Sequence, residues 1–359
     1  MKMASKEDIS MLHQATRLAV SGHGTAEPNP MVGCIITDKT GEVVGEGFHE
    51  TCGEAHAEIN ALAMAGESAH GGTAYVTLEP CNHHGKTPPC SKALLDAGIN
   101  RVVIGTSDPH AAASGGAEFL IAKGVEVLVV EDALCKEIIE PFSHRIKTGM
   151  PWITCKWAQT IDGNIETPKG ESPWISSKES QLLVHEERGC VDAIIVGVGT
   201  VVADNPSLTV RDATQYRTPL RIVIDPTLRT PLHANVLNCD APTLLVHEEG
   251  ADTSNFASQE LLALPLEMGV LALAPLFRHL VTRYDATNVI VEGGAILFQR
   301  LFSQQLVNEL WVFTAPQTST FTPAINMNTL IADLPCTLID EQPCGVDIAK
   351  RFAVNFNQQ

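Results

Sequence analysis

One imidazole, one carboxylate and two thiols carry the strongest chemistry in this 359-residue chain. They lie in His56-Ala57-Glu58, Pro80-Cys81 and Pro89-Cys90. An imidazole and two thiolates are a good zinc set, and three protein ligands leave a fourth place for water. Zinc lowers the pKa of a bound water from about 15.7 toward 7. Glu58 stands two residues from His56 and can carry a proton from that water to a leaving amine. A lone cysteine is commonly buried for packing alone, so the weight rests on the His-x-Glu and Pro-Cys pieces occurring together. With three ligands found, Cys34 and Cys52 read as packing residues.

The elements that must position these groups follow from pattern. Ser5 precedes an apolar face of Met11, Leu12, Ala15, Leu18 and Ala19, which predicts an opening helix. Strands are expected over 32–37 and 42–48, with Asp38 and Gly41 in a hairpin turn. A helix is expected over 56–65, a buried strand over 73–78, and a helix over 90–97 stopped by Gly98. Strands over 101–105 and 125–130 flank a helix over 117–123. His56 and Cys90 therefore open helices and Cys81 follows a strand. Helix N-termini favour negative charge, which eases thiolate formation. Alternating strands and helices predict a layered α/β domain. A second α/β pattern starts near Pro151, with strands over 152–157, 193–198, 221–224, 243–246 and 288–291, a helix over 295–302, and a final strand over 306–315. Residues 248–285 suggest only weak helices. The boundary reads as 1–148 and 149–359.

Composition bounds the partners. With 24 basic and 42 acidic residues the formal net charge is −18. The first 148 residues hold 11 basic against 19 acidic side chains, so neither half resembles a nucleic-acid glove. No run of about 18 apolar residues predicts a membrane span. The N-terminal segment lacks an apolar signal core, which predicts a cytoplasmic chain. Ten scattered cysteines then read as reduced thiols or metal ligands.

The zinc-deaminase pattern is Pro-Cys-x-x-Cys. Here eight residues separate Cys81 from Cys90. Pro28-Asn29-Pro30-x-Val32-Gly33-Cys34, Gly47-Phe48-His49, His56-Ala57-Glu58 and the run from Leu78-Glu79-Pro80-Cys81 to Thr87-Pro88-Pro89-Cys90 closely resemble the bifunctional riboflavin-biosynthesis deaminase/reductases. The resemblance covers nearly the whole chain. It implies an α/β chain with an N-terminal cytidine-deaminase-like layered domain and a C-terminal dihydrofolate-reductase-like domain. It implies zinc-dependent hydrolytic deamination of a diaminopyrimidinone bearing a ribosyl phosphate. His56, Cys81 and Cys90 match its zinc ligands, Glu58 its acid/base, and Asn29, His49 and His83 its substrate pocket. His110, after Asp108-Pro109, departs from the family's usual Asp-Pro-Asn-Pro. A homo-oligomer is expected on family grounds.

In the second half, residues 288–292, Gly293-Gly294 and the following helix make a strand, a glycine turn and a helix start, where backbone N–H groups can meet a phosphate. Gly197-Val198-Gly199-Thr200 is a second glycine-bearing strand end. Paired glycines after a strand are often just a tight turn. The runs 156–163, 170–177 and 197–211 resemble the family's reductase domain. That implies NADPH and reduction of the ribosyl group to a ribityl chain. Matching assigns Ala158, Trp174, Thr200, Asp204, Gly294, Ala295, Ile296, Leu297, Phe298, Gln299 and Arg300 to the cofactor. It assigns Lys156, Ser172, Arg188, Leu208, Arg211 and Glu292 to the substrate. Arg188 and Arg211 can fork onto a phosphate or form an ordinary ion pair. Trp174 can be core, and Asp204 a cap. Asn164, Asn308, Pro226 and Gln317-Thr318-Ser319-Thr320 depart from the family's pattern. Three rivals remain: a deaminase of flipped nucleic-acid bases, a structural zinc module with a fourth protein ligand, and a deaminase with a non-catalytic second domain.

Overall fold

The chain divides into two compact units, Met1–Gly149 and Met150–Gln359. The computed structural model describes residues 3–83, 88–111, 113–166, 174–319, 323 and 325–356. Unit 1 runs α1 (Lys6–Ala19), β1 (Gly33–Thr37), β2 (Val43–Phe48), α2 (Ala57–Ala65), β3 (Thr73–Leu78), α3 (Cys90–Asp96), β4 (Arg101–Thr106), α4 (Gly116–Ala122), β5 (Glu126–Val129), α5 (Ala133–Ile138) and α6 (Glu140–Thr148). Ser5 starts α1 with a capping box: its hydroxyl accepts the Asp8 N–H, and the Asp8 carboxylate accepts the Ser5 N–H. Asp8 also pairs with Arg101 at 2.6 Å, tying α1 to β4.

The sheet order is β2-β1-β3-β4-β5. β1 is antiparallel to β2 and β3, and the remaining pairs are parallel. Successive side chains of a strand face opposite ways. Cys34 and Ile36 accordingly pack with Ala57, Ala61 and Leu94 of α2 and α3. Ile35 packs with Leu12, Ala15 and Cys135 of α1 and α5. Helices thus cover both sheet faces. A Cβ on Gly47 would lie 2.5 Å from the Ala57 carbonyl oxygen, and one on Gly45 2.3 Å from that of Ala61. Glycine at both positions lets α2 lie directly on β2, which fixes the helix end carrying His56 and Glu58.

Unit 2 runs β6 (Trp152–Thr160), α7 (Lys178–Arg188), β7 (Ala193–Gly197), α8 (Val198–Asp204), β8 (Leu220–Ile224), β9 (Thr243–Glu248), β10 (Glu260–Leu264), β11 (Leu266–Glu267), β12 (Val270–Leu271), α9 (Ala274–Tyr284), β13 (Asn288–Val291), α10 (Ala295–Ser303), β14 (Glu309–Ala315), α11 (Met327–Ala332), β15 (Cys336–Cys344) and β16 (Asp347–Val354). Its large sheet has the order β10-β9-β8-β7-β13-β6-β14-β16-β15. The strands from β10 to β14 are parallel, and β16 and β15 are added antiparallel. One face buries Ile153, Trp157, Ile222, Phe277 and Phe298. The other buries Ile194, Val223, Ile290, Trp311 and Phe313.

Three expectations need correction. Residues 248–285, expected to hold only weak helices, carry two strand pairings, a short 3-10 helix over Ser254–Phe256 and one α-helix, α9. The strand expected over 306–315 begins at Glu309, because Leu306 and Val307 close the preceding turn, and it is followed by β15 and β16. Helices α5 and α6 complete unit 1 where no element was expected. Asp132 caps α5 by accepting the Leu134 and Cys135 N–H groups, and α6 has proline in its first turn. Among the described residues no helix is long and apolar enough to cross a membrane.

Candidate functional site

His56 is the N-cap of α2, so it stands at the start of the helix that lies on β2. Cys81 follows β3 and Cys90 opens α3. The three ligand atoms lie within 4.8 Å of one another. His56 Nδ1 is 3.7 Å from Cys81 Sγ and 3.3 Å from Cys90 Sγ. The Cys90 backbone N–H donates to Cys81 Sγ at 3.4 Å. The Cys90 thiol, then His56 and that N–H, draw Cys81 down to about 4 against the opposition of burial. One nitrogen and two sulfurs, one already favoured as thiolate, fit zinc. Glu58 is 3% exposed, and burial raises its carboxyl although the His56 charge opposes. Cys34 is fully buried in the core, as expected, but Cys52 is exposed, in a turn at the surface.

His56, Glu58 and Cys81 line a cavity of about 360 Å³, together with Asn29, His49, His83, Asp108 and His110. His49 is buried, and its Nδ1 lies 3.1 Å from the Ala55 carbonyl oxygen. Nδ1–H donates there, so Nε2 accepts the Asn29 amide at 3.1 Å. His83 and His110 are exposed at the rim. His84 and Lys86-Thr87 lie outside the described residues. Phe142, Arg145 and Ile146 also line the cavity and were not foreseen. The available signal was Glu140-Pro141, a proline at a helix start.

In unit 2 the parallel strands β7 and β13 lie side by side; β7 ends at Gly197, and Gly293-Gly294 lie between β13 and the helix after it. Gly197 caps α8 and Gly294 caps α10. A Cβ at Gly294 would meet only Thr200 Oγ1, at 3.9 Å, so the space above this turn is open. Such strand ends are where open α/β sheets bind ligands. Ala158 and Thr200 are half-buried, while Asp204 is exposed at the end of α8. Trp174 is 56% exposed and is not core. Within 294–300, Leu297 and Phe298 are committed to the core, leaving Ala295, exposed Ile296 and Gln299, and half-buried Arg300 at the surface.

Glu292, just after β13, accepts Arg188 Nε and Nη2 at 2.6 and 2.9 Å and lies 3.6 Å from Lys156 Nζ. Burial alone would raise the Glu292 carboxyl, but Arg188 and Lys156 hold it at about 2. Arg188 Nη1 donates to the Thr209 carbonyl oxygen. The guanidinium expected to fork onto a phosphate is therefore engaged in a nearly buried ion pair. Arg211 is exposed. Leu208 is buried, with its backbone in the left-handed region at φ 51°. Ser172 lies outside the described residues. The departures from the family pattern have structural work. Asn164 is buried and donates to Ser319 Oγ at 2.6 Å. Asn308 Oδ1 accepts the Ile153 N–H, and the Pro226 carbonyl accepts the Glu248 N–H. The Gln317 carbonyl accepts the Ile161 N–H.

A layered α/β unit with a nitrogen–sulfur–sulfur cluster, joined to a parallel-sheet unit with glycine-capped helix starts, defines a two-activity enzyme, deaminase and reductase. Residues 5–106 match the model for the cytidine and deoxycytidylate deaminase zinc-binding region, and residues 151–318 match that for the RibD C-terminal domain. The chain is 39% identical over 318 residues to the riboflavin biosynthesis protein RibD of Aquifex aeolicus, covering 88% of each. It is 39% identical over 328 residues to RibD of Escherichia coli, covering 87% of this chain and 88% of that protein. The solved structure of Acinetobacter baumannii RibD (form 1) superposes with a TM-score of 0.82 at 32% identity, over 98% of this chain and 99% of that one. A diaminohydroxyphosphoribosylaminopyrimidine deaminase/5-amino-6-(5-phosphoribosylamino)uracil reductase from Thermotoga maritima gives 0.83 at 29% identity, over 97% and 99%. The chain belongs to the RibD family, the bifunctional deaminase/reductases of riboflavin biosynthesis. Its deaminase unit is of the zinc-binding kind and its reductase unit of the NADPH-using kind.

Proposed function

We propose that the chain removes an amine by hydrolysis from 2,5-diamino-6-(5-phosphoribosylamino)pyrimidin-4-one within residues 1–148. It then reduces the ribosyl group to a ribityl chain with NADPH within residues 149–359. The observation that carries this reading is the meeting of His56, Cys81 and Cys90 in one cluster, with His56, Cys81 and buried Glu58 lining one cavity. His56 Nδ1, Cys81 Sγ and Cys90 Sγ would hold zinc. When bound, zinc makes a water acidic enough to attack at neutral pH, its pKa falling from about 15.7 toward 7. Glu58 does the proton work: buried beside His56, it takes a proton from the attacking water and passes it to the leaving amine. Asn29, linked to His49, keeps its carbonyl oxygen for the pyrimidine. His83 stands at the mouth.

In the second unit, Ala158, Trp174, Thr200, Asp204 and the 294–300 segment take the dinucleotide, with the α10 N–H groups suited to its pyrophosphate. NADPH, when bound, supplies the hydride. Family matching assigns Lys156, Ser172, Arg188, Leu208, Arg211 and Glu292 to the substrate, and Arg188 also holds Glu292 ionised. A cytoplasmic setting is supported by the ten cysteines, all free thiols. The homo-oligomer expected on family grounds is read by sedimentation.

The test follows ammonia and NADPH separately on the full chain, with the diaminopyrimidine phosphate or its deaminated product supplied. Chelating zinc should stop ammonia release and leave NADPH oxidation of the deaminated product intact. If chelation stops both without unfolding the chain, separate sites are excluded. If untreated protein never oxidises NADPH, the second unit is not a reductase.

A further inference from the structure

His185 lies on α7, one turn before Arg188. Its Nδ1 accepts the backbone N–H of Arg211 at 3.1 Å. A peptide N–H only donates, so Nδ1 carries a lone pair, and the proton of the neutral ring sits on Nε2. Nε2 lies 3.4 Å from Arg211 Nη2, which also carries N–H. Two donors this close need a shared acceptor, and among the described residues none is placed on His185 Nε2. The surroundings say what kind. Lys156, Arg188 and Arg211 bring three cations against the one carboxylate of Glu292. That carboxylate gives both oxygens to Arg188. Arg211 has no carboxylate partner among the described residues and only reaches Thr209 Oγ1, at 3.5 Å. Burial, then the charges of Arg188 and Arg211, push the imidazole down to about 4, so it is neutral at working pH.

We propose that His185 Nε2–H and the Arg211 guanidinium together grip one phosphate monoester, which makes His185 a specificity-determining residue of unit 2. The assignment of that phosphate rests on the reductase reading above. Its owner is the ribosyl 5-phosphate of the substrate or the 2′-phosphate of NADPH. His185 acts twice, holding the Arg211 backbone through Nδ1 and the anion through Nε2.

Two substitutions separate these tasks. His185→Asn keeps an acceptor near Nδ1 but loses the Nε2 donor. His185→Gln extends an amide N–H toward the Nε2 position but gives up the Nδ1 acceptor. NADPH oxidation by the full chain is measured with the deaminated phosphoribosyl compound, with its dephosphorylated form, and with NADH replacing NADPH. His185→Asn should raise KM for the phosphorylated compound about tenfold, the scale of one hydrogen bond to a charged group. Its kcat should stay within about twofold and its KM for the dephosphorylated form should stay unchanged. His185→Gln should recover part of the loss. A penalty that falls on NADPH and disappears with NADH supports the same grip with the cofactor as owner. No penalty, or one equal for phosphorylated and dephosphorylated compounds, overturns the proposal. Wild-type protein that oxidises no NADPH refutes the reductase reading alone. Calorimetry with inorganic phosphate then decides: binding about tenfold weaker in His185→Asn supports the grip, and equal or absent binding overturns it.

Discussion

Glu292→Gln removes the one negative charge among three cations while changing side-chain volume little. In the folded chain this carboxyl is held at about 2 against its ordinary 4.5. A folded pKa below the unfolded one means that the ionised group stabilises the fold. That contribution is present above about pH 4.5 and is lost as pH falls through about 2. A depression of about 2.5 pH units at ~1.36 kcal/mol each gives about 3 kcal/mol. Breaking a buried ion pair by removing one partner costs a similar ~3–5 kcal/mol. Glu292 and Arg188 side chains are each 11% exposed, so solvent screens the pair little. Arg188 is the partner that counts, because burial drives the Lys156 ammonium down even though it lies 3.6 Å from the carboxylate. All four tryptophans, Trp152, Trp157, Trp174 and Trp311, belong to unit 2, so their fluorescence in a urea titration reports that unit alone. With a slope of ~2–3 kcal/mol per molar, the midpoint at pH 7 should fall by about 1–1.5 M. The gap between wild type and variant should narrow as pH falls from about 4.5 toward 3, because there the carboxyl takes up a proton in the unfolded chain while it stays ionised in the folded one. An unmoved midpoint at pH 7, or a gap independent of pH, refutes the stabilising role of this pair.

Two further outcomes concern unit 1. Cys81→Ala and Cys90→Ala should each lose zinc by elemental analysis and lose ammonia release, whereas Cys34→Ala keeps both. Full zinc in either ligand variant removes that residue from the metal site. Glu58→Gln should retain zinc yet release ammonia ~10²–10⁴ times more slowly. Near-normal turnover by the zinc-replete variant would falsify the proton-carrier role.

The clustering of His56, Cys81 and Cys90 was legible because each stands at an element junction that local pattern reveals. His56 precedes an apolar helix, Cys81 follows a buried strand, and Cys90 is the first residue of a helix. The ion pair of Arg188 with Glu292 was not legible, since 104 residues separate its members and either partner suits a ligand equally well. Arg145 and Phe142 escaped notice because α6 is only nine residues long and buries none of them completely. β15 was missed for a related reason: most of its side chains are exposed, and only its ladder with β16 makes it a strand. Pattern reading finds elements that bury a face, and these two do not.

The position of β6 has a consequence for how the chain is made. Trp152–Thr160 is the first strand of unit 2 to leave the ribosome, yet it belongs inside the sheet, between β13 and β14. Those partners begin at Asn288 and Glu309. At ~5–20 residues per second, β6 waits on the order of ten seconds with both hydrogen-bonding edges open. Its Trp152, Ile153, Cys155 and Trp157 make it the kind of strand that pairs with foreign edges. Unit 1 escapes this delay, because all five of its strands lie between Gly33 and Val129. During synthesis the deaminase half can close its sheet early, while the reductase half stays exposed to misassembly until β14 emerges.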